Sequence, residues 1–220
     1  MSLSKRTLAI GAAALLLPLS ACGFVYHAEP IEGWVVDAET NQPLEGVIIV
    51  AHWQLRGGVM EDNPIAQIHI DEAVTDRNGR YAFKGWGPKF ALLGHLRDES
   101  PGLMFFKSGY KYFGTSNMPG SDTSKSDWNK KTVKLERFKG TLKEYSNDLG
   151  FLRGSLGFVE EDCNWKKTPL ILIALDKERQ IFRASGIDSG TYSLDYFDGL
   201  SKKEIKKCGS PSEFFKEQKK

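Results

Sequence analysis

Two histidines and two carboxylates form the pattern in this chain that comes nearest to a metal site. His52 and His69 lie on neighbouring predicted strands, where they could face each other, and Asp71 or Glu72 could complete a set of zinc ligands. The chain lacks the His-x-His and His-Glu-x-x-His spacings that would strengthen this interpretation. Half-exposed strand histidines need no ligand at all. We therefore predict no catalytic, metal-binding or cofactor-binding residues, and an enzyme that uses His52 or His69 ranks last among the candidate functions.

The N-terminal 22 residues have the order of a signal peptide. Lys5 and Arg6 precede an apolar run over residues 8–17, which is too short to span a bilayer comfortably. The run is followed by the tetrapeptide LSAC at residues 19–22. This tetrapeptide resembles the lipobox of bacterial lipoproteins, in which the cysteine receives the lipid. An ordinary secretory signal with a chance cysteine at its end is the alternative.

The lipobox resemblance implies where the protein resides. Residues 1–21 would be the signal peptide, Cys22 would carry the lipid, palmitate included, and residues 22–30 would tether the domain to the membrane. Residue 23 is Gly. In enteric-type bacteria an Asp at this position resembles an inner-membrane retention signal, so the resemblance favours the periplasmic face of the outer membrane. The expected partner is therefore a membrane, bound through the lipid anchor at Cys22.

The other two cysteines are expected to form a disulfide. Cys163 and Cys208 remain once Cys22 is assigned to the lipid, and an exported chain meets an oxidising compartment. A closed loop of about 45 residues would stabilise the fold by roughly 3–4 kcal/mol in the chain-entropy model. A metal site and a reactive thiol are the alternatives, but the chain has no Cys-x-x-Cys motif and neither cysteine has a histidine close in sequence.

Charge excludes one class of partner. The formal net charge is +2, and it falls to zero without Lys5 and Arg6. A neutral chain shows no electrostatic footprint for nucleic acid, so none is expected as a partner. The lysine-rich C-terminal tail also contains glutamates, which is typical of a solvated helical face.

The first half of the mature chain predicts a β-sandwich. Strands are predicted over residues 31–36, 47–55, 65–75, 80–84, 103–106 and 132–135, with residues 85–101 the least regular part. In the second strand one face is expected to contain Val47, Ile49, Ala51, Trp53 and Leu55, and the other Ile48, Val50, His52 and Gln54. Apolar residues on both faces predict that this strand is covered on both sides.

Two turns in this region resemble those of the carboxypeptidase regulatory-like module, a small β-sandwich of transthyretin-like topology. The motif residues are Gly33, Asp37, Thr40, Pro43, Leu44, Gly46, Val47, Thr75, Asp76, Asn78, Gly79, Arg80, Tyr81 and Phe83. Gly46 is expected to permit close backbone approach, and Gly79 to adopt positive φ. The resemblance assigns residues 31–137 to this module and implies that these residues are scaffold without a catalytic role.

Residues 138–220 are predicted to form a helical extension. Apolar spacing indicates a helix over residues 142–158, and Thr168-Pro169 has the form of an N-cap followed by proline at the first helical position. A third helix is expected to begin near Ser210 and Pro211. The predicted fold class is thus mainly β, a transthyretin-like or immunoglobulin-like sandwich followed by a small helical segment tied by a disulfide.

The sequence favours a lipid-anchored cell-envelope protein that acts as a non-catalytic interaction or scaffolding module with a protein partner. A periplasmic inhibitor or immunity-type protein against an envelope-targeting toxin is the alternative. Aromatic residues are dense in the sandwich half, including Trp53, Trp86 and Phe90. Core packing accounts for most of them, and an exposed aromatic binding patch is a further possibility.

Overall fold

The computed structural model describes residues 24–57, 63–156, 163–191 and 206–218. The predicted signal peptide and the lipidation site at Cys22 lie outside the described residues. The strands are β1 (Phe24–Ala28), β2 (Ile31–Asp37), β3 (Ile48–Gly57), β4 (Asn63–Val74), β5 (Arg80–Phe83), β6 (Trp86–Ala91), β7 (His95–Leu96), β8 (Gly102–Phe106), β9 (Phe113–Thr115) and β10 (Lys131–Leu135). The helices are α1 (Leu142–Leu156), a 3₁₀ helix (Asn164–Lys167), α2 (Pro169–Ala184) and α3 (Pro211–Gln218).

The described strands form two main sheets and a two-stranded ribbon. The outer sheet has the order β10-β2-β5, with β10 parallel and β5 antiparallel to β2. The central sheet has the order β4-β3-β8-β9, and β7 also pairs with β3. Strands β1 and β6 pair with each other as the ribbon. This arrangement confirms the predicted fold class, a mainly β protein with a helical C-terminal segment.

The central sheet is covered on both faces, so the molecule has three layers. One face packs against the outer sheet around Trp53 and Phe105, and the other packs against the helices around Val50 and Met104. Strand β3 supplies residues to both cores because its side chains alternate between faces. The alternation predicted for this strand is confirmed: Val47, Ile49, Ala51, Trp53 and Leu55 lie in the inter-sheet core, and Ile48 and Val50 pack on the helical side.

Asp37 of the motif accepts hydrogen bonds from two turns and from the last sandwich strand's flank. One of its carboxylate oxygens accepts the amides of Glu39 and Thr40, each at 3.0 Å, and so closes the turn after β2. The other accepts the Tyr110 hydroxyl at 2.8 Å and Arg137 Nε at 3.0 Å. The amide of Thr40 and the Tyr110 hydroxyl are the main reasons that the pKa of Asp37 lies well below its usual value.

Two of the three motif glycines, Gly79 and Gly46, occupy their positions for different reasons. Gly79 has φ of 70°, as predicted, and a Cβ there would collide with the carbonyl oxygen of Val35. Gly46 also has positive φ, at 73°. The close approach expected at Gly46 is wrong, since the nearest atom to an added Cβ is Lys107 Nζ at 3.7 Å. Backbone conformation alone therefore favours glycine at position 46.

The helices begin close to their predicted starts, but one cap differs. Thr168 makes no side-chain cap hydrogen bond to α2. The carboxylate of Glu72 on β4 instead accepts the amides of Leu170 at 2.8 Å and Ile171 at 3.2 Å. A side chain from the central sheet thus satisfies the exposed amides at the start of α2 and links the helical layer to the sandwich. Among the described residues, no helix has the length and apolar content needed to cross a bilayer.

Four strands were absent from the sequence prediction. β6 and β7 lie in the stretch 85–101, β9 lies in a predicted polar loop, and β1 lies within the predicted tether over residues 22–30. The pairing of Phe24 with Ala91 and of Val25 with Phe90 places β1 on the folded body. The described part of the chain thus starts with a strand, at a position two residues after Cys22.

Candidate functional site

The two histidines considered as metal ligands lie on opposite faces of the central sheet. In the β3–β4 pairing, Trp53 is opposite His69 and His52 is opposite Ile70. Directly opposite residues share a face, whereas adjacent residues point to opposite faces. The hypothesis that His52 and His69 face each other and share a zinc ion is therefore wrong. Across the described ranges, no group of three or more His, Cys, Asp or Glu side chains is placed to hold a metal ion.

His52 lines a pocket of about 420 Å³ on the helical side of the central sheet. The size falls within the range of about 300–1,000 Å³ that is usual for small-molecule sites. The pocket lies where β3, the segment after β7 and the end of α1 meet. Its described lining consists of His52, Gln54, Arg56, Pro64, Arg97, Gly102, Leu103, Met104, Tyr112, Gly114, Thr115, Ser116 and Ser155. The set contains two arginines and, among the described residues, no carboxylate.

His52 is held neutral at the pocket wall. Burial is the main reason that the pKa of its imidazole is lowered to about 4, and the charge of Arg97 is the second. The ring lies on the backbone of Gly102, where any added Cβ would collide with it. Its Nδ1 atom is buried and has no hydrogen-bond partner in the described structure. A neutral imidazole nitrogen of this kind can donate to or accept from a bound polar group, depending on the tautomer.

The two arginines give the pocket its positive charge. Arg56 follows Gln54 on the same face of β3, and the amide of Arg97 donates to the carbonyl of Gln54 at 3.0 Å. Arg97 Nε donates to Glu99 at 2.8 Å, which orients the guanidinium and lowers the pKa of Glu99. Guanidinium groups bind planar carboxylate and phosphate groups through paired N–H donors. The chemistry of the wall therefore suits an anionic group.

The surroundings of His69 are closed. Its ring lies 5.0 Å from the Trp86 ring and 5.5 Å from the Trp53 ring, and its Nδ1 is 2.9 Å from Lys89 Nζ. The pKa of His69 is lowered to about 4, mainly by burial and then by the charges of Lys89 and Lys167. The neutral ring therefore accepts a hydrogen bond from the lysine. Lys89 also donates to the carbonyl of Ile68 at 2.9 Å, so this cluster is a packed structural contact.

The predicted disulfide joins two parts of the helical layer. Cys163 and Cys208 are bonded, with Cα atoms 5.4 Å apart. Next to the bond, the Trp165 ring packs on Phe214 at 5.4 Å and on Phe215 at 5.7 Å. The bond therefore lies against the aromatic contact between the 3₁₀ helix and α3. Neither cysteine is available as a metal ligand or a reactive thiol in this form.

Sequence reasoning placed two members of the pocket, His52 and Gln54, on one face and missed the arginines. The alternation of β3 placed His52 and Gln54 on one face, and continuing it by one step would have added Arg56. Arg97 has no such signal, because it lies outside regular structure in a stretch without hydrophobic period. Its position depends on the pairing of β7 with β3.

Comparison with known proteins identifies no family. No protein-family model and no curated protein matches the chain. Part of the chain is weakly similar to a Streptococcal ancillary pilin, with 14% identity, a TM-score of 0.27 and coverage of 51% of this chain and 30% of the pilin chain. It is also similar to 3-chlorocatechol 1,2-dioxygenase from Rhodococcus opacus 1CP, with 14% identity, a TM-score of 0.28 and coverage of 50% and 61%.

A third similarity is to a 9R-lipoxygenase from Cyanothece PCC8801, with 16% identity, a TM-score of 0.26 and coverage of 70% of this chain and 24% of the lipoxygenase. The chain thus covers less than two thirds of each of these three chains. TM-scores of this size indicate neither a family nor a function.

Proposed function

We propose that this protein is a lipid-anchored cell-envelope protein that acts without catalysis, as a module that binds an anionic group of an envelope partner in the His52 pocket. The observation behind the binding role is the pocket wall, where Arg56 and Arg97 lie beside a neutral His52 with an unpartnered nitrogen. The chain is proposed to resemble the carboxypeptidase regulatory-like module in its scaffold, because its turns use Asp37 and Gly79 for structural purposes.

The anchoring part of the proposal comes from the N-terminal sequence. The apolar run over residues 8–17 is followed by LSAC at residues 19–22, and Gly23 favours the outer membrane. Phe24, two residues after Cys22, already belongs to β1, so the proposed lipid lies close in sequence to the folded body. A module attached so closely works at the membrane surface, which suits a partner in the envelope.

The non-catalytic part comes from the surroundings of His52. A general base that activates a hydroxyl needs that hydroxyl within hydrogen-bond reach and a third group to orient the ring. The buried Nδ1 of His52 bonds to neither a carboxylate nor a hydroxyl among the described residues. The lowered pKa also leaves the imidazole neutral at pH 7, so it offers the bound group a polar contact while the arginines supply the charge.

One experiment tests anchorage and binding together. The full-length chain with Cys22, its Cys22→Ala variant and its Arg97→Gln variant would be expressed in a Gram-negative host, labelled with palmitate, cross-linked in membranes and purified. Arg77→Gln is the matched control, since Arg77 is exposed in the turn before β5, away from the pocket. We expect Cys22→Ala to lose the palmitate label and Arg97→Gln to keep it.

The second measurement is the amount of cross-linked partner protein that is recovered with each purified variant. Loss of a charged partner group from a buried contact usually costs 2–5 kcal/mol, so recovery should fall at least about tenfold with Arg97→Gln and stay unchanged with Arg77→Gln. Equal recovery with both arginine variants would rule out the pocket as the binding site, and unchanged labelling of Cys22→Ala would rule out the anchor. Recovery of a single stoichiometric toxin would favour the inhibitor or immunity-type function instead.

A further inference from the structure

The end of the β1–β6 ribbon exposes a group of large apolar side chains. This ribbon tip consists of Phe24, Val25, Phe90, Leu92 and Leu93, all more than half exposed. Leu92 and Leu93 are the most exposed of the large hydrophobic residues, at 78% and 79%. Single exposed apolar residues are ordinary on protein surfaces, whereas a contiguous group marks a contact surface.

Strand pairing brings these residues together. Phe24 at the start of β1 is opposite Ala91 at the end of β6, and Val25 is opposite Phe90. Leu92 and Leu93 follow Ala91 directly in the bend after β6, so they lie at the same end of the ribbon. Val25 and Phe90 share one face of the ribbon and Phe24 lies on the other, so the tip is one end of the ribbon with apolar side chains on both of its faces, although its residues come from positions 24–25 and 90–93 in the sequence.

The chain enters the fold at this same end. Cys22 precedes Phe24 by two residues, and a fully extended chain spans at most about 3.6 Å per residue, so the two Cα atoms lie within about 7 Å of each other. Given the proposed lipid anchor, acyl chains on Cys22 would thus enter the bilayer directly beside the tip. The short connection would therefore hold Phe24 and the adjacent tip residues at the membrane surface.

We infer that the ribbon tip inserts into the interfacial region of the bilayer beside the lipid anchor. The occupant of this surface is the membrane, because the lipid-bearing residue is held next to it by the covalent chain. Aromatic and leucine side chains favour the boundary between headgroups and acyl chains. The tip therefore provides a second contact besides the lipid and limits the tilt of the body on the membrane. This inference rests on the proposed function, since it assumes the lipid on Cys22.

A lipid-borne photolabel tests this contact on the complete protein. Full-length protein purified from membranes would be reconstituted into vesicles of phosphatidylethanolamine and phosphatidylglycerol at 3:1 that contain a diazirine-bearing phospholipid. After illumination, mass spectrometry locates the labelled residues and, independently, weighs the lipid on the peptide that contains Cys22. Met118 and Phe151 are internal controls, because their exposure of 72% and 70% matches that of the tip.

We expect label on the peptide that contains Phe90, Leu92 and Leu93 at about ten times the level on the control residues. A Leu92→Ser and Leu93→Ser double variant should reduce label at Phe90 by at least about tenfold, because the apolar burial lost by two leucines exceeds the free energy that corresponds to a factor of ten. A Met118→Ser and Phe151→Ser variant should leave it unchanged. Because Leu92 and Leu93 are exposed, the serine variant should leave the core intact, and circular dichroism checks that it folds.

The two measurements separate failure of the inference from failure of the proposed function. An acylated Cys22 together with tip label no greater than that on Met118 and Phe151 would overturn the membrane contact and leave the anchor standing. Tip label on a chain whose Cys22 bears no lipid would overturn the anchor while supporting the contact. Equal label at Phe90 in the serine variant and the wild type would also overturn the contact.

Discussion

The two faces of the central sheet differ in how completely they are covered. On the inter-sheet face, Trp53 is 1% exposed and its ring packs edge-on against Trp86 at 5.3 Å. On the helical face, Val50 and Met104 are just as buried, but among the described residues a pocket lies beside His52, next to Ser155 of α1. A sheet is a continuous cover, whereas a few helices leave space at their ends. The candidate pocket therefore lies on the face that helices cover.

The two buried histidines sharpen this comparison. Burial lowers the pKa of both His52 and His69 to about 4. His69 bonds to Lys89 through Nδ1, while Nδ1 of His52 has no partner in the described structure. A perturbed pKa is thus common to a packing contact and a candidate site. What distinguishes them is the open, arginine-lined space on the helical side.

The largest expected effect comes from substituting the adjacent residues Trp53 and His52. Trp53→Ala should lower the free energy of unfolding by about 3–5 kcal/mol, because it leaves a large cavity in a closed core. His52→Ala should cost about 1 kcal/mol, since the residue borders a pocket that already exists. Urea unfolding measures both values. Equal losses would show that the two faces are equally packed and would remove the basis for the comparison.

Loss of the disulfide should act on the helical face alone. We expect the Cys163→Ser and Cys208→Ser double variant to lose about 3–4 kcal/mol of stability in the helical layer, because the bond closes a loop with a sequence separation of 45. Limited proteolysis should cut early after about residue 140, while residues 31–135 stay resistant. Release of the helices would expose Val50, Ile70, Met104 and Phe106, so the variant should also bind a hydrophobic dye.

Two outcomes would contradict this prediction. If the whole chain of the double variant unfolded in one step, the inter-sheet core would not be stable without the helices packed on the other face of the central sheet. A thiol titration that finds both cysteines reduced in protein taken from the periplasm would rule out the bond in the cell. Wild-type protein treated identically provides the control for both measurements.

Local sequence patterns predicted the elements that have a local cause. The alternation in β3 was clear because the strand is long and both of its faces are buried. Strand β1 has only five residues and pairs with β6 more than sixty positions away, so no pattern within it indicates a partner. Thr168 has the right type for a cap, yet Glu72 makes those contacts from 98 positions away. Arg97 likewise reaches the pocket through tertiary pairing, which no single-sequence period reveals.

The smallest expected effect concerns Glu72, which joins the two faces by capping α2 from the central sheet. Burial raises the pKa of Glu72 from 4.5 to about 7, although the amides of Leu170 and Ile171 oppose the shift. The folded state thus binds the proton more tightly than the unfolded state does, and this contribution to stability is complete below about pH 4.5 and is lost as the pH rises through about 7. Glu72→Gln keeps an oxygen acceptor without the charge. We expect it to match the wild type at pH 4.5 and to be more stable by about 1–2 kcal/mol at pH 8.

Thermal or urea unfolding between pH 4.5 and pH 8 measures this difference, with the exposed Glu45→Gln as a control for general loss of negative charge. The control should follow the wild type at every pH, because Glu45 caps no helix in the described structure. A Glu72→Gln variant that is less stable than the wild type at pH 8 would show that the capping charge outweighs its burial. In that case the link between sheet and helices would be an ionic cap, strongest at neutral pH, and the helical face would loosen on acidification instead of tightening.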